Sequence, residues 1–288
     1  MSDNITTSRA LQFQARVQHL LQQHGSRLRR AVLEQSYTGS KRQVAVEQIG
    51  KVTAVQKQGR HADLPTVEVP HARRWVTPVT YEFRDFVDTP DQIRMMFDSR
   101  SQYAKAFSDA LGRAMDEAIL SAMFGTSVTG EDATGTEAFN TTDYSIANAS
   151  ADLTVAKLLT AREKLLSADN DPQEEWYIAV RGKQLESLLN DTQVTSGDYN
   201  TVKALVEGDV GKFAGFNFIH TQLVPLSGTD RAVPAWVHSG MHLGVLNDIR
   251  TPIDWLPEKQ AYQVAGIGDF GATRTQQGKV VRILCTES

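Results

Sequence analysis

The stretch from Tyr37 to Asp88 constrains this chain most, because it alternates as a β ribbon does and is too long to stand alone. Val44 and Val46 alternate with polar neighbours, and Val52, Ala54 and Gln56 continue the pattern after Ile49-Gly50. The return leg reads Thr66-Val67-Glu68-Val69, then Trp75, Thr77, Val79, Tyr81 and Phe83 at period two. A polar tip, Gln56-Lys57-Gln58-Gly59-Arg60-His61, joins the legs. A leg of about 14 residues spans roughly 45 Å at 3.3 Å per residue. A two-stranded ribbon is marginal in water without a further layer. Pro65, Pro70 and Pro78 remove ladder donors, so the return leg is expected to stay out of a sheet interior. The ribbon is therefore expected to act as an intermolecular arm, covered by another molecule.

What flanks the ribbon fits such an arm. Residues 8–23 carry a helical stripe of Ala10, Phe13, Val17, Leu20 and Leu21 that ends at His24-Gly25. A second short piece sets Leu28, Val32 and Leu33 among Arg27, Arg29 and Arg30. Both segments are too short for stable isolated helices and must lie on something. After the ribbon, Thr89-Pro90-Asp91-Gln92 reads as an N-cap, a proline at the first helical position and a capping-box Gln. The stripe that follows runs from Ile93, Met96 and Phe97 to Met123, closed by Phe124-Gly125, and Asp98–Ser101 can divide it. Even the second part, about 24 residues, would be roughly 36 Å long.

The remainder changes texture. Residues 126–150 are small and polar, as in an extended loop or flexible hairpin. A helix is expected over 154–168 and a buried strand over Trp176–Val180. A short helix over Gly182–Leu189 follows, then strands over Phe213–Ile219 and Ala235–Val237. This alternation predicts an α/β lobe from about 152 to 255. The C-terminal part should end in a strand over Lys279–Leu284.

Composition narrows the function classes. The chain has 288 residues, 41% hydrophobic and 22% charged, as ordinary globular domains do. No apolar run approaches the roughly 20 residues of a membrane helix. The first 25 residues lack a secretory pattern, and the single cysteine, Cys285, allows no intramolecular disulfide and fits a reducing compartment. Residues 1–75 carry 12 Lys and Arg against 5 Asp and Glu, which leaves 18 against 29 in the rest. A basic arm on an acidic body fits docking onto another copy, contact with nucleic acid, or unselected surface drift.

Several short motifs invite chemistry and do not support it. Gly266-Ile267-Gly268-Asp269-Phe270-Gly271 matches G-x-G-x-x-G, but a dinucleotide site needs a following helix and a later acid, so a glycine-rich structural turn is expected. His238 and His242 have the spacing of two ligands on one helical face, yet Gly240 lies between them and no Glu follows the first. Gly208–Phe213 is too short for a phosphate loop and reads as a turn before a strand. Cys285 reads as a small buried apolar residue, and Met115 and Met123 as core. The pairs Glu174-Glu175 and Asp116-Glu117 read as solvated faces. No catalytic, cofactor or metal-binding set emerges, and none is expected.

In order, the elements resemble the major capsid proteins of tailed bacteriophages with the Hong Kong 97-type fold. The stretches carrying the resemblance include Gly25-Ser26-Arg27-Leu28-Arg29, Ser36-Tyr37-Thr38-Gly39, Arg73-Arg74-Trp75-Val76, Ser101-Gln102-Tyr103 and Gly112-Arg113-Ala114-Met115-Asp116. Further along, Phe216–His220, Ser239–Gly244 and Phe270–Arg274 add to them. The resemblance implies an α+β fold with an N-terminal arm over 1–36 and a β-hairpin E-loop over 37–88. It implies a P-domain spine helix and loop over 89–151, an α/β A-domain over 152–255 and a return to the P-domain over 256–288.

It also implies a non-enzymatic subunit whose pentamers and hexamers close an icosahedral shell around double-stranded DNA, in the virion and, during assembly, in host cytoplasm. Portal and scaffolding proteins would be partners, with a separate scaffold because the arm begins almost at Met1, and a decoration protein is an open addition. No Lys–Asn cross-link pair can be matched. Expected inter-subunit residues are Phe13, Leu20 and Leu21 of the arm, Gln56, Lys57, Gln58, Gly59, Arg60 and His61 of the tip, and Arg73, Arg74 and Trp75 at its base. Arg27, Arg29 and Arg30 are candidates to face DNA. An encapsulin-like nanocompartment is the alternative, and an α/β enzyme with a dimerisation arm is a third class.

Overall fold

The computed structural model describes residues 22–37, 44–57, 59–60, 63, 66–88, 99–190 and 211–286. A single 3₁₀ turn, Arg29–Ala31, leads into β1 (Leu33–Ser36), β2 (Val44–Ile49), β3 (His71–Val76) and β4 (Val79–Asp88). Helix α1 (Ser99–Phe124) follows, then β5 (Ser127–Thr129), β6 (Gly135–Glu137) and β7 (Ser145–Ile146). The middle of the chain holds α2 (Val155–Ser167), β8 (Trp176–Val180), α3 (Gly182–Asn190), β9 (Lys212–Phe213) and β10 (Phe216–His220). The last strands are β11 (Leu226–Ser227), β12 (Asp230–Val237), β13 (Met241–Arg250), β14 (Ile253–Leu256), β15 (Ala261–Arg274) and β16 (Val280–Thr286). This is a mixed α+β fold with few helices and many strands. Two compact units share the chain: one from Met1–Ser26, Thr80–Arg113 and Asp248–Gly268, the other from Arg27–Val79, Ala114–Asn247 and Asp269–Ser288.

In the larger unit a seven-stranded sheet runs β7-β16-β12-β8-β10-β9, with β11 on β12. β12 is antiparallel to β16 and β8, whereas β8 and β10 are parallel, Trp176 facing Phe216 through to Val180 facing His220. A parallel pair needs a crossover, and α3 lies within it. Ile178, Val180, Val233, Ala235, Val237, Val281 and Ile283 pack against Leu158, Ala161 and Leu165 of α2 and Leu188 of α3. Each buried Val, Leu or Ile chain among them contributes about 1.5–3 kcal/mol. Thr154 caps α2 through the Lys157 amide at 3.4 Å. The buried Lys157 ammonium then donates to the carbonyls of Asn148, Ala151 and Leu284 at 2.7, 2.6 and 3.0 Å. Cys285 is buried in this core, and burial pushes its thiol up to about 12. A thiol so disfavoured as thiolate behaves as a small apolar group.

Helix α1 buries Leu111, Met115, Ile119, Leu120 and Met123 along one stripe. Its C-terminal carbonyls, which no helical amide can reach, are held by a buried arginine. Arg274 Nη1 donates to Met123 O at 2.8 Å and Gly125 O at 3.0 Å, and its guanidinium lies 5.2 Å over Phe139. Burial lowers this guanidinium to about 10, still protonated at neutral pH, where its charge complements the helix dipole. The expected cap at Thr89–Gln92 and the stripe residues Ile93, Met96 and Phe97 lie outside the described residues.

The glycine-rich segment 266–271 is not a turn but the interior of the 14-residue strand β15. Its glycines serve close packing instead. A Cβ on Gly271 would sit 2.6 Å from Thr77 O, and one on Gly266 would sit 3.0 Å from the Phe83 ring. The strand expected over Phe213–Ile219 is a hairpin: Ala214 (φ 51°) and Gly215 (φ 90°) turn β9 back onto β10. Two successive left-handed residues are what the tightest hairpin turns require.

Candidate assembly surfaces

The ribbon is ordered at its base and bare beyond. β2 and β3 pair antiparallel from Val44–Val76 to Ile49–His71, and Gly50 N donates to Pro70 O at 2.7 Å. Beyond that bond residues 51–57 and 66–70 carry no strand, because Pro70 has no amide to continue the ladder. Ile49 is 71% exposed, and Val52, Val55, Val67 and Val69 are exposed with it.

The return leg corrects the sequence reading in one respect. β3 lies inside the four-stranded sheet β2-β3-β5-β6, with β5 on its far side. His71–Val76 contains no proline, so both its edges can pair; Pro70 and Pro78 bound the strand without interrupting it. After Pro78 the same period-two run pairs elsewhere, as β4 on β15.

The residues expected at the base of the arm converge on that sheet. Arg73 pairs with Glu47 at 2.5 Å and lies 5.6 Å over the Trp75 ring. Arg74 pairs with Glu137 and donates through Nε to Thr275 O at 2.9 Å. Trp75 Nε1 donates to Gly130 O at 2.7 Å. The acids that meet both arginines therefore belong to the same chain. Burial would raise the Glu137 carboxyl, but hydrogen bonds from Arg74 and Gln277 and the charges of Arg74 and Arg274 hold it below its usual range. Around them opens a groove of about 600 Å³, lined by Glu47, His71, Arg73, Glu131 and Glu137 among others. It presents both signs of charge.

At the tip Gln56, Lys57, Gly59 and Arg60 are exposed, while Gln58 and His61 lie outside the described residues. Phe13, Leu20 and Leu21 also lie outside them. Arg29 is held by Glu34 at 2.6 and 2.8 Å, Arg27 reaches His220, and Arg30 is exposed.

The segment around Leu28 is not a second helical piece but the 3₁₀ turn followed by β1, which pairs parallel to β13 from Leu33–His242 to Ser36–Val245. Leu28, Ala31 and Val32 are buried, and Trp236 Nε1 donates to Ala31 O at 2.8 Å. Its grip on α1 was missed in the sequence. Asp116 is fully buried rather than solvated, and it accepts the amides of Arg27 at 3.0 Å and Leu28 at 3.1 Å. Seven residues earlier, Asp109 accepts the Gly25 amide at 3.0 Å and pairs with His24 at 2.8 Å. Between them a Cβ on Gly112 would overlap the backbone of Gly25 and Ser26. The Asp-x-x-Gly-x-x-x-Asp spacing on one helix face was the available signal.

The two histidines expected at helical spacing fall on different elements, His238 on a 3₁₀ turn and His242 on β13. His242 accepts or donates across 2.7 Å to the Tyr37 hydroxyl, and burial lowers its pKa. Among the described residues no cluster of three His, Cys, Asp or Glu could hold a metal. Glu174 is likewise committed, accepting the Ser239 amide at 2.8 Å.

Comparison with known proteins follows the fold. The chain superimposes on the capsid of cyanophage P-SCSP1u with a TM-score of 0.76 at 16% identity, covering 100% of this chain and 97% of that one. The capsid of Ralstonia phage GP4 matches with a TM-score of 0.75 at 10% identity over 98% and 96% of the two chains. The head structure of Helicobacter pylori bacteriophage KHP40 matches at 0.71 and 10% identity over 99% and 97%. At these identities the likeness establishes the fold. A comparison with curated protein sequences finds no match. The family model described as phage capsid protein, however, matches residues 5–287. With sequence and fold in agreement over nearly its whole length, the chain belongs to the phage capsid protein family, a structural component of the bacteriophage virion.

Proposed function

We propose that this chain is the major subunit of a tailed-phage head, forming pentamers and hexamers that close an icosahedral shell around double-stranded DNA. In this reading residues 1–36 are the N-terminal arm, 37–88 the E-loop, 89–151 the P-domain with α1 as its spine, 152–255 the A-domain and 256–288 the return to the P-domain. The mechanism is geometric: heterologous contacts close rings, and arms that reach onto neighbours join the rings.

One observation carries the reading. Five large aliphatic chains, Ile49, Val52, Val55, Val67 and Val69, are exposed on a ribbon whose described outer residues, 51–57 and 66–70, carry no strand. Covering them with a neighbouring subunit returns about 0.8 kcal/mol per buried methylene, and the bare legs can accept a strand from it. Phe13, Leu20, Leu21, Gln56–His61 and Arg73–Trp75 are the contact residues of this reading, and Arg27, Arg29 and Arg30 face DNA. Portal and scaffolding proteins, a decoration protein and assembly in host cytoplasm complete it. Deleting residues 54–64 should leave a folded subunit, by circular dichroism, that builds no shells under negative-stain electron microscopy. Normal particles from the deletion would refute the arm assignment.

A further inference from the structure

Tyr37 closes over β13 just after β1 ends. Its amide donates to Val245 O at 2.9 Å, and a Cβ on Gly244 would lie 3.3 Å from its ring. Its hydroxyl donates to Gln35 Oε1 at 3.0 Å and lies 2.7 Å from His242 Nε2. His242 itself is 1% exposed, and its Nδ1 is buried with no hydrogen-bond partner. Buried polar atoms are nearly always paired, so an orphan of this kind calls for a reason.

The mismatch does not depend on where the neutral ring carries its proton. With the proton on Nε2, Nδ1 is an acceptor without a donor; with the proton on Nδ1, it is a donor without an acceptor. The imidazolium fares worse than either, because both nitrogens then donate, only one meets an oxygen, and the charge is held out of water. The elements packed against the ring supply no countercharge. Burial raises the Tyr37 pKa, so its hydroxyl stays neutral, and Glu34 on β1 is taken by Arg29. Arg73 and Arg74 of β3 are paired with Glu47 and Glu137. On β15, Asp269 meets Asn247 and Arg274 holds the α1 carbonyls, while Asp248 and Arg250 at the far end of β13 are exposed. None of these charges contributes to the lowering of the His242 pKa, which burial alone causes. Residues 38–43, next in the chain, contain Lys41 and Arg42 and no acid.

We propose that His242 is a proton-operated latch on the N-terminal segment: taking up a proton lifts Tyr37 and β1 off β13 and leaves the anchor before them in place. β1 is the part that yields, since it is four exposed residues paired on β13 alone, whereas β13 is paired on both edges. Residues 27–31 stay, because Asp116 accepts the amides of Arg27 and Leu28 and Trp236 Nε1 donates to Ala31 O. Lifting Tyr37 gives both ring nitrogens water, which removes the penalty on the charged form. Residues 38–43 lead from Tyr37 into β2, so an open latch lengthens the tether between the N-terminal anchor and the ribbon. The latch is a property of the single chain and does not rest on the shell reading above.

The sign follows from linkage. In the closed form the ring resists protonation below the ordinary value of 6.5, and in the open form it titrates as an exposed histidine does, at about 6.5. Closure is therefore complete above that value and weakens as pH falls through it, the open form gaining about tenfold between pH 7.5 and pH 5.5. Hydrogen exchange of the full-length chain at these two pH values, each corrected for its intrinsic rate, reads this as lost protection. Residues 33–37 should lose about tenfold, while 27–31 and β16 change by less than about twofold. His242→Gln, which can still donate to Tyr37 but does not titrate, should abolish the acid response. The wild type also tests the latch without any variant: the His242 ring resonance should titrate together with the loss of protection at 33–37. Protection at 33–37 that changes by less than about threefold overturns the proposal. So does an equal loss at 27–31 and β16, which would be general acid loosening, or an acid response retained in His242→Gln.

Discussion

Asp116→Ala should detach the N-terminal segment from α1 without unfolding the chain. The carboxylate is fully buried and accepts two amides, from Arg27 at 3.0 Å and Leu28 at 3.1 Å. A hydrogen bond to a charged acceptor contributes about 1.5–3 kcal/mol, and a buried amide left unpaired costs about 1–3 kcal/mol. Leu28 is buried, whereas the Arg27 side chain is exposed, so water can reach one of the two freed amides and not readily the other. The net loss is then about 3 kcal/mol. Asp116→Asn keeps one acceptor oxygen and should lose about half as much.

The loss should be local first. The 3₁₀ turn and β1 are held by Asp116, by the four-residue pairing with β13 and by the Trp236 bond to Ala31. Hydrogen exchange followed by mass spectrometry should show a peptide spanning residues 28–37 exchanging roughly a hundredfold faster in Asp116→Ala, since 1.4 kcal/mol is a factor of ten. The peptide covering β16 should change little. Exchange within threefold of wild type at 28–37, or equal acceleration in β16, would refute the view that one carboxylate anchors this segment.

Two further outcomes follow from packing and titration. His242 is 1% exposed and burial lowers its pKa, so as pH falls through 6.5 the unfolded chain takes up a proton that the folded chain refuses. Stability should therefore fall with pH below 6.5, and His242→Gln should flatten that slope in denaturant midpoints measured between pH 7 and 5; an unchanged slope removes His242 from the account. Gly271→Ala forces a Cβ against the Thr77 carbonyl at 2.6 Å, where backbone must move, while Gly266→Ala meets side chains, the Phe83 ring at 3.0 Å and Leu111 Cδ1 at 3.4 Å. Thermal midpoints should rank Gly271→Ala well below Gly266→Ala, by several degrees at about 1 kcal/mol per 2–4 °C for a chain of this size, and the reverse order would contradict the crossing geometry.

Local periodicity alone located α2, β8, α3, the buried end of the chain and the ribbon's paired base, because period and turn chemistry are properties of neighbouring residues. It also marked Cys285, Met115 and Met123 as interior, since apolar residues on a patterned face have nowhere better to go. It failed where the partner is distant in sequence. Asp116 looks like half of an acidic surface pair until the chain brings amides 88 and 89 residues away onto it. The 266–271 glycines look like a turn until Phe83 and Thr77 cross against them. β3 looks too proline-bound for a sheet interior until β5 arrives on its free edge. Sequence states which face of an element must be covered, and spacing such as Asp109-x-x-Gly112-x-x-x-Asp116 can mark a contact face; only the tertiary structure states by what, because neither partner of a long-range contact names the other.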